Sequence, residues 1–298
     1  MTKKHLICFF ALTFAISWGI PGVAILLSVW FPGVPFSLEM YTPLYFVSVW
    51  GPAVAALVVI GRRAGFPGVG SYMRRMLDWR IGIRWWLFAL LGIPAMYLGG
   101  ALIEHAFLGS PQALSWYKGS WLVFIFTFLL RATAGPVEEF GWRGFALPIM
   151  QRIMSPRMAV VVLALMHGLW HAPAFIVGFA SNTHFAAELP FHIAFGRFMI
   201  NILIITVFLN ITYNATGGKL TSAFLIHWML NGVYPWEGQA DLMTGQIMVT
   251  GAAAVVMLLT IARKWLSVEH AATDVLPDEA KNGAGPTPMG KGTHTVLL

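Results

Sequence analysis

Residues 119–143, GSWLVFIFTFLLRATAGPVEEFGWR, decide the fold: an apolar run ends in two adjacent acids and an arginine, Glu138, Glu139 and Arg143. Only 10% of the 298 residues are charged, so a carboxylate pair at the end of such a run needs a physical reason. Acids and histidines at membrane depth are costly and mark a pathway or a reaction site. Reading outward, a 58% hydrophobic composition with 13 Trp, 22 Phe and a mean hydropathy of +0.72 is too apolar for a soluble globular domain. The expectation is an all-α polytopic membrane protein with its helices in one bundle.

About 20 apolar residues cross the hydrocarbon core, and eight runs are read as spans, near 6–30, 43–61, 85–109, 119–137, 158–180, 192–214, 220–236 and 245–263. The first follows Lys3 and Lys4, but its apolar run is too long for a signal peptide and is read as a retained helix. With the N-terminus inside, all of the 19 Lys and Arg except Lys118, Arg131 and Arg197 fall on cytoplasmic segments. Both termini are therefore expected in the cytoplasm, and a position such as Gly238 outside. Residues 64–84, rich in Gly, Arg and Trp, suit either the anionic cytoplasmic lipid surface or a solvated loop. The bundle is assigned to residues 1–266, and residues 267–298, which lack apolar periodicity, to a disordered cytoplasmic tail. Cys8 is the single cysteine, which excludes an intrachain disulfide and a cysteine-based zinc site. The net charge of +7 collects at the ends of apolar runs, so membrane lipids, and no nucleic acid, are the expected partners.

Three elements carry chemistry. On a helix, Glu139 and Arg143 are four apart and can pair, while Glu138 points about 100° away and is left free. A carboxylate in a poorly solvated bundle is tuned toward the range of a general base or acid. His167 and His171, in HGLWHAP, are also four apart and face one way, as two ligands on a metal-binding helix would. Gly168 follows the first histidine, so the glutamate of an HExxH motif is absent and a zincin is not expected. His227 and Asn231 share a face of the seventh span, and their N–H groups are of the kind that stabilise an oxyanion.

Together, EEFGWRG, HGLWHAPAF and HWMLNG closely resemble the motifs of the CPBP family of intramembrane proteases, which includes the CAAX prenyl endopeptidases and the bacteriocin-processing Abi proteins. The family pattern is EExxxR, FxxxH and HxxxN or HxxxD. It maps onto Glu138, Glu139 and Arg143, then His171, then His227 and Asn231. The main departure is His167, which stands where the family carries Phe and adds a ligand or hydrogen-bonding group at the site. The resemblance implies a roughly eight-helix endopeptidase cutting near the cytoplasmic face. Glu138 would activate water, His171 would orient it, His227 and Asn231 would form the oxyanion site, and Glu139 with Arg143 would support them. Implied substrates are a membrane protein or peptide, with a prenylated protein and a peptide precursor as alternatives, and the implied location is a bacterial or archaeal cytoplasmic membrane.

A metal-free glutamate mechanism is favoured, with no cofactor. The other course is a divalent metal such as zinc, held by Glu138, His171 and His227, with His167 as a fourth ligand. The same residues would also suit a proton-coupled transporter or a non-catalytic partner-binding or immunity protein. Transporters often carry internal repeats; none is found, and the polar cluster lies near one face, which favours the protease. One discrepancy stands. His171 is about 21 Å along its helix from Arg157, whereas His227 is about 12 Å from Lys219.

Overall fold

The computed structural model describes residues 1–31, 42–109, 119–180, 190–232, 243–260 and 262–276. Among these every regular element is helical. The first are α1 (Lys3–Trp30), α2 (Pro43–Val49) and α3 (Gly51–Met76), followed by α4 (Ile83–Leu87), a π turn (Phe88–Gly92) and α5 (Ile93–Leu108). Then come α6 (Trp121–Arg131), a 3-10 turn (Gly135–Glu138), α7 (Glu139–Gly141), a second π turn (Trp142–Ala146) and α8 (Leu147–Ile153). The second half holds α9 (Pro156–Trp170), α10 (Ala172–Ala180), α11 (Phe191–Ala215), α12 (Leu220–Gly232), α13 (Met243–Thr260) and α14 (Ala262–Trp265). Local sequence explains several boundaries. Ser155 caps α9 by accepting from the Met158 N–H at 3.3 Å, with Pro156 at the first helical position. Pro148 lacks an N–H and crowds the preceding turn, and the backbone widens into a π turn immediately before α8.

The eight runs read from sequence are mostly helix where they are described, with breaks at Trp50, at residues 132–134 and at His171. Among the described residues, six stretches are long and apolar enough to cross a membrane: Lys3–Leu27, Gly51–Arg75, Ile83–Phe107, Trp121–Ile153, Pro156–Ile176 and Phe191–Ala215. The protein is thus an all-α integral membrane protein. The 13 described residues of α12 extend about 20 Å. Within residues 64–84, read as a lipid-surface segment or a solvated loop, residues 66–76 are helix and not loop. Gly65 adopts φ 63° and ψ −168°, turns the chain, and lets α3 resume through Pro67 as helix to Met76. Gly238, expected on the external side, falls among residues 233–242, which are not described.

Helix α11 organises the bundle, packing against α9, α12 and α13. Its Thr206, Asn210 and Asn214 repeat every four residues and are all buried, so one stripe of an apolar helix presents polar groups to its neighbours. At the N-terminal end of the widened helix, α7 meets α3 so closely that a methyl group on Gly141 would lie 2.5 Å from the Pro52 carbonyl oxygen. The Tyr72 hydroxyl donates to the Phe140 carbonyl beside that crossing.

A polar clasp holds residues 272–275 against the helices. Gln151 and Asn214 exchange side-chain hydrogen bonds of 3.1 and 2.8 Å. Gln151 also donates to the Ala272 carbonyl, the Ala272 N–H donates to Asn214, and Asn214 donates to the Trp265 carbonyl. Arg75 donates to the carbonyls of Gly218, Asp274 and Val275. Residues 267–276, the start of the segment read as a tail, therefore lie against the helices, and Val275 is fully buried. Residues 277–298 lie outside the described residues. Arg152 donates to the Met1 carbonyl at 3.2 Å and pairs with Asp274 at 3.3 Å, which puts residue 1 and residue 274 on the same face of the bundle.

The α3–α7 crossing makes a testable claim. Gly141→Ala is expected to cost about 1–3 kcal/mol, because the methyl group meets backbone that cannot rotate away. Gly70→Ala, where a methyl group meets nothing within 4 Å, is expected to be neutral or to stabilise by about 0.5–1 kcal/mol. Thermal unfolding in detergent checks both, and equal melting temperatures for the two variants would contradict the close crossing.

Candidate active site

The site forms where the 3-10 turn, α7 and the π turn bring side chains of one short segment against α9, α11 and α12. Glu139 and Arg143 lie one helical turn apart, and Arg143 Nη1 is 3.0 Å from both carboxylate oxygens of Glu139. Both side chains are wholly buried. The rest of the guanidinium is used by α11, with Nε donating to Asn210 Oδ1 and Nη2 to Thr206 Oγ1, each at 3.1 Å. A buried charge pair survives only when its remaining polar atoms find partners, and these two α11 residues supply them.

Glu139 has a further partner, since His227 Nδ1 lies 2.7 Å from its Oε1. An ionised carboxylate only accepts hydrogen bonds, so the proton of this contact belongs to His227 Nδ1. That assignment changes the reading of His227 as a neutral N–H donor toward the reaction. Its Nε2, the atom facing Gly135, carries a lone pair when the ring is neutral and becomes a donor only as imidazolium, beside the Glu139 carboxylate. Asn231, one turn further along α12, brings its Nδ2 to the same place. A methyl group on Gly135 would overlap Asn231 Nδ2 and lie 2.9 Å from His227 Nε2. Glycine at 135 is thus required by the space these two side chains occupy.

Glu138 faces the other way, as its helical offset predicts. Its side chain is 4% exposed, and its Oε2 lies 2.9 Å from Nε2 of His167 on α9. The partner found is therefore His167, the residue that departs from the family pattern, and its ring is packed 5.1 Å from Trp142 and 5.3 Å from His171. His171 caps the end of α9 where the chain turns into α10, and its half-buried ring packs on Trp170 and Phe198. The depths that differ along the helix axes draw together in space, because the His171 ring lies 5.3 Å from His167, whose ring is 6.4 Å from His227. Distance along a helix from its basic end is not depth when helices differ in tilt and entry point.

Glu138, His167 and His171 each offer a ligand atom, and these atoms lie within 4.8 Å of one another. Two imidazoles and a carboxylate fit a divalent transition metal, so the residues present suit the group. The set differs from the one read from sequence: His227 is outside it, with its Nδ1 held by Glu139, and His167 takes that place.

Several supporting residues are not evident from sequence as parts of a site. Thr206 and Asn210 carry a legible signal, a four-residue polar repeat in an apolar span. Arg131 stands out in sequence only as an exception to the charge rule, yet its Nη1 donates to the Asn231 carbonyl at 2.9 Å and so fixes the end of α12. Gly135 carries no signal, since only the packed structure shows what its missing side chain makes room for.

Comparison with known proteins agrees with this arrangement. The family profile described as "Type II CAAX prenyl endopeptidase Rce1-like" matches residues 118–233, the stretch that holds every residue of the site. A curated relative, CAAX prenyl protease 2 of Methanococcus maripaludis, is 22% identical over 214 residues, covering 68% of this chain and 77% of the relative. The resemblance to the CPBP family is borne out, and both comparisons support a CAAX-protease-like endopeptidase.

The Gly135 contact yields a prediction. Gly135→Ala is expected to displace Asn231 and His227 and to lower turnover at least tenfold, while the amount of folded protein in membranes stays within about twofold. Immunoblotting and a cleavage assay measure the two quantities, and full turnover in the variant would show that the two side chains do not act from that place.

Proposed function

We propose that this protein hydrolyses a peptide bond of a membrane-associated protein or peptide near the cytoplasmic face, with water activated by Glu138. What carries this reading is the division of labour between the adjacent acids. Glu139 is saturated by Arg143 and His227, whereas the hydrogen-bond partner of Glu138 is an imidazole, beside a second one. A carboxylate held this way can take a proton from water as the oxygen attacks the carbonyl carbon. His167 and His171 orient the carboxylate and the water. Negative charge then develops on the carbonyl oxygen, and Asn231 Nδ2 donates to it, joined by His227 Nε2 in its protonated form. Collapse of the tetrahedral intermediate breaks the C–N bond, and Glu138 returns its proton to the departing amine.

Substrate class follows from the relatives. A C-terminal CAAX sequence on a prenylated protein is the first candidate, given the name of the Methanococcus relative, and a peptide precursor is the alternative where the host does not prenylate. The basic segments place the termini, and with them the clasp at Arg75 and Arg152, in the cytoplasm, and the eight helical runs would cross the membrane an even number of times. A bacterial or archaeal cytoplasmic membrane remains the proposed location. An ion held by Glu138, His167 and His171 would supply Lewis acidity to a bound water, and the glutamate reading does not require it.

The test uses whole membranes, so the substrate can be identified by the experiment itself. Mass spectrometry of protein termini is expected to show cleaved termini in cells expressing the wild-type chain that vanish with Glu138→Gln, while the variant accumulates to a nearly unchanged level. Retention of those termini at near-normal abundance in Glu138→Gln would refute the base assignment.

A further inference from the structure

We propose that His167 gives this chain a divalent transition-metal site, formed with His171 and Glu138, whose occupancy withdraws Glu138 from its role as base. The inference rests on the reading of Glu138 in the proposed function, and it concerns a residue that the family pattern leaves apolar.

Geometry comes first. His167 lies within α9 and His171 at its cap, one turn apart on one face, and Glu138 approaches from a separate element, the 3-10 turn. The three donor atoms lie within 4.8 Å of one another. Ligands at about 2.0–2.1 Å from a tetrahedral zinc ion are about 3.4 Å apart. The 2.9 Å contact between His167 Nε2 and Glu138 Oε2 is already close to that range, and His171, at a helix end and half-buried, has the freedom to close the remainder.

The donor chemistry selects the ion. Calcium and magnesium prefer shells of oxygen, whereas two imidazoles and one carboxylate suit zinc, cobalt or iron. Buried histidines bind such ions as neutral rings, and no nearby cation needs to be displaced: Arg143 is committed to Glu139, Asn210 and Thr206. Trp142, Trp170 and Phe198 pack around the two imidazoles and limit the access of competing water.

The consequence for the reaction follows from what is missing beside the histidines. In an HExxH helix the glutamate after the first histidine acts as base while other groups bind the ion. Here that position is Gly168, and a methyl group there would lie 2.8 Å from the terminal carbon of Met199 on α11. Helix α9 thus carries no second carboxylate, and Glu138 can either ligate the ion or take a proton from water. Occupancy thus opposes turnover by the glutamate route, which needs Glu138 free.

The experiment uses the full chain, purified in detergent without a polyhistidine tag, stripped with a chelator and titrated with cobalt or zinc. Wild type is expected to bind about one equivalent, read by elemental analysis and by the visible d–d absorption of cobalt. His167→Phe and Glu138→Gln are each expected to lose at least tenfold in affinity, with thermal unfolding reporting whether the variants are folded. Should His167→Phe fail to fold, His167→Gln and Glu138→Gln carry the comparison. Wild-type affinity in the folded variants, or no binding by wild type, would overturn the site. Zinc is further expected to lower wild-type turnover at least fivefold, and the ratio of turnover without and with zinc to approach one in His167→Phe. Activation by stoichiometric zinc would uphold the metal site and overturn the role of Glu138 as free base, so the two readings fail separately.

Discussion

The buried pair of Glu139 and Arg143 is the constraint on which the rest of the structure depends. Removing two charges from water is expensive, and the loss is recovered only if every remaining donor and acceptor is used. Here the pair is satisfied from two directions: α11 supplies Asn210 and Thr206 to the guanidinium, and α12 supplies His227 to the carboxylate. One salt bridge therefore fixes the rotation and height of two helices relative to the widened segment that carries the acids. Losing either charge would leave the other buried and uncompensated, at about 3–5 kcal/mol.

The same constraint separates the two acids. Adjacent carboxylates on a helix point in different directions, and only the one facing Arg143 can be neutralised by it. The other is held against α9 and its histidines. A short stretch of irregular helix serves both needs, since the 3-10 turn positions Glu138 beside His167 and the π turn lets Arg143 reach α11. Departures from regular helix of this kind concentrate at functional sites, and Pro148 supplies a local cause for one of them.

Much of this is legible in the chain itself. The apolar runs mark the helices because membrane spans must satisfy their own backbone, and the four-residue spacing of Glu139 and Arg143 marks the pair because helix geometry leaves few alternatives. Less accessible are features that arise between elements. His167 is only a departure from a pattern until α9 places it against Glu138. The direction of the His227 proton depends on the Glu139 contact, and the need for glycine at 135 depends on the side chains of α12. Residues 267–276 look structureless in sequence because they lack apolar periodicity. They are held instead through their backbone, by Arg75, Gln151 and Asn214, a mode of docking that leaves almost no trace in the docked sequence.

A double-mutant cycle on unfolding free energy in detergent tests the central claim, the division between a structural and a chemical acid, most directly. Glu139→Gln and Glu138→Gln would each be combined with Arg143→Met. The account predicts a coupling of about 3 kcal/mol or more between Glu139 and Arg143, and less than about 1 kcal/mol between Glu138 and Arg143. Equal couplings, or the larger one at Glu138, would contradict it.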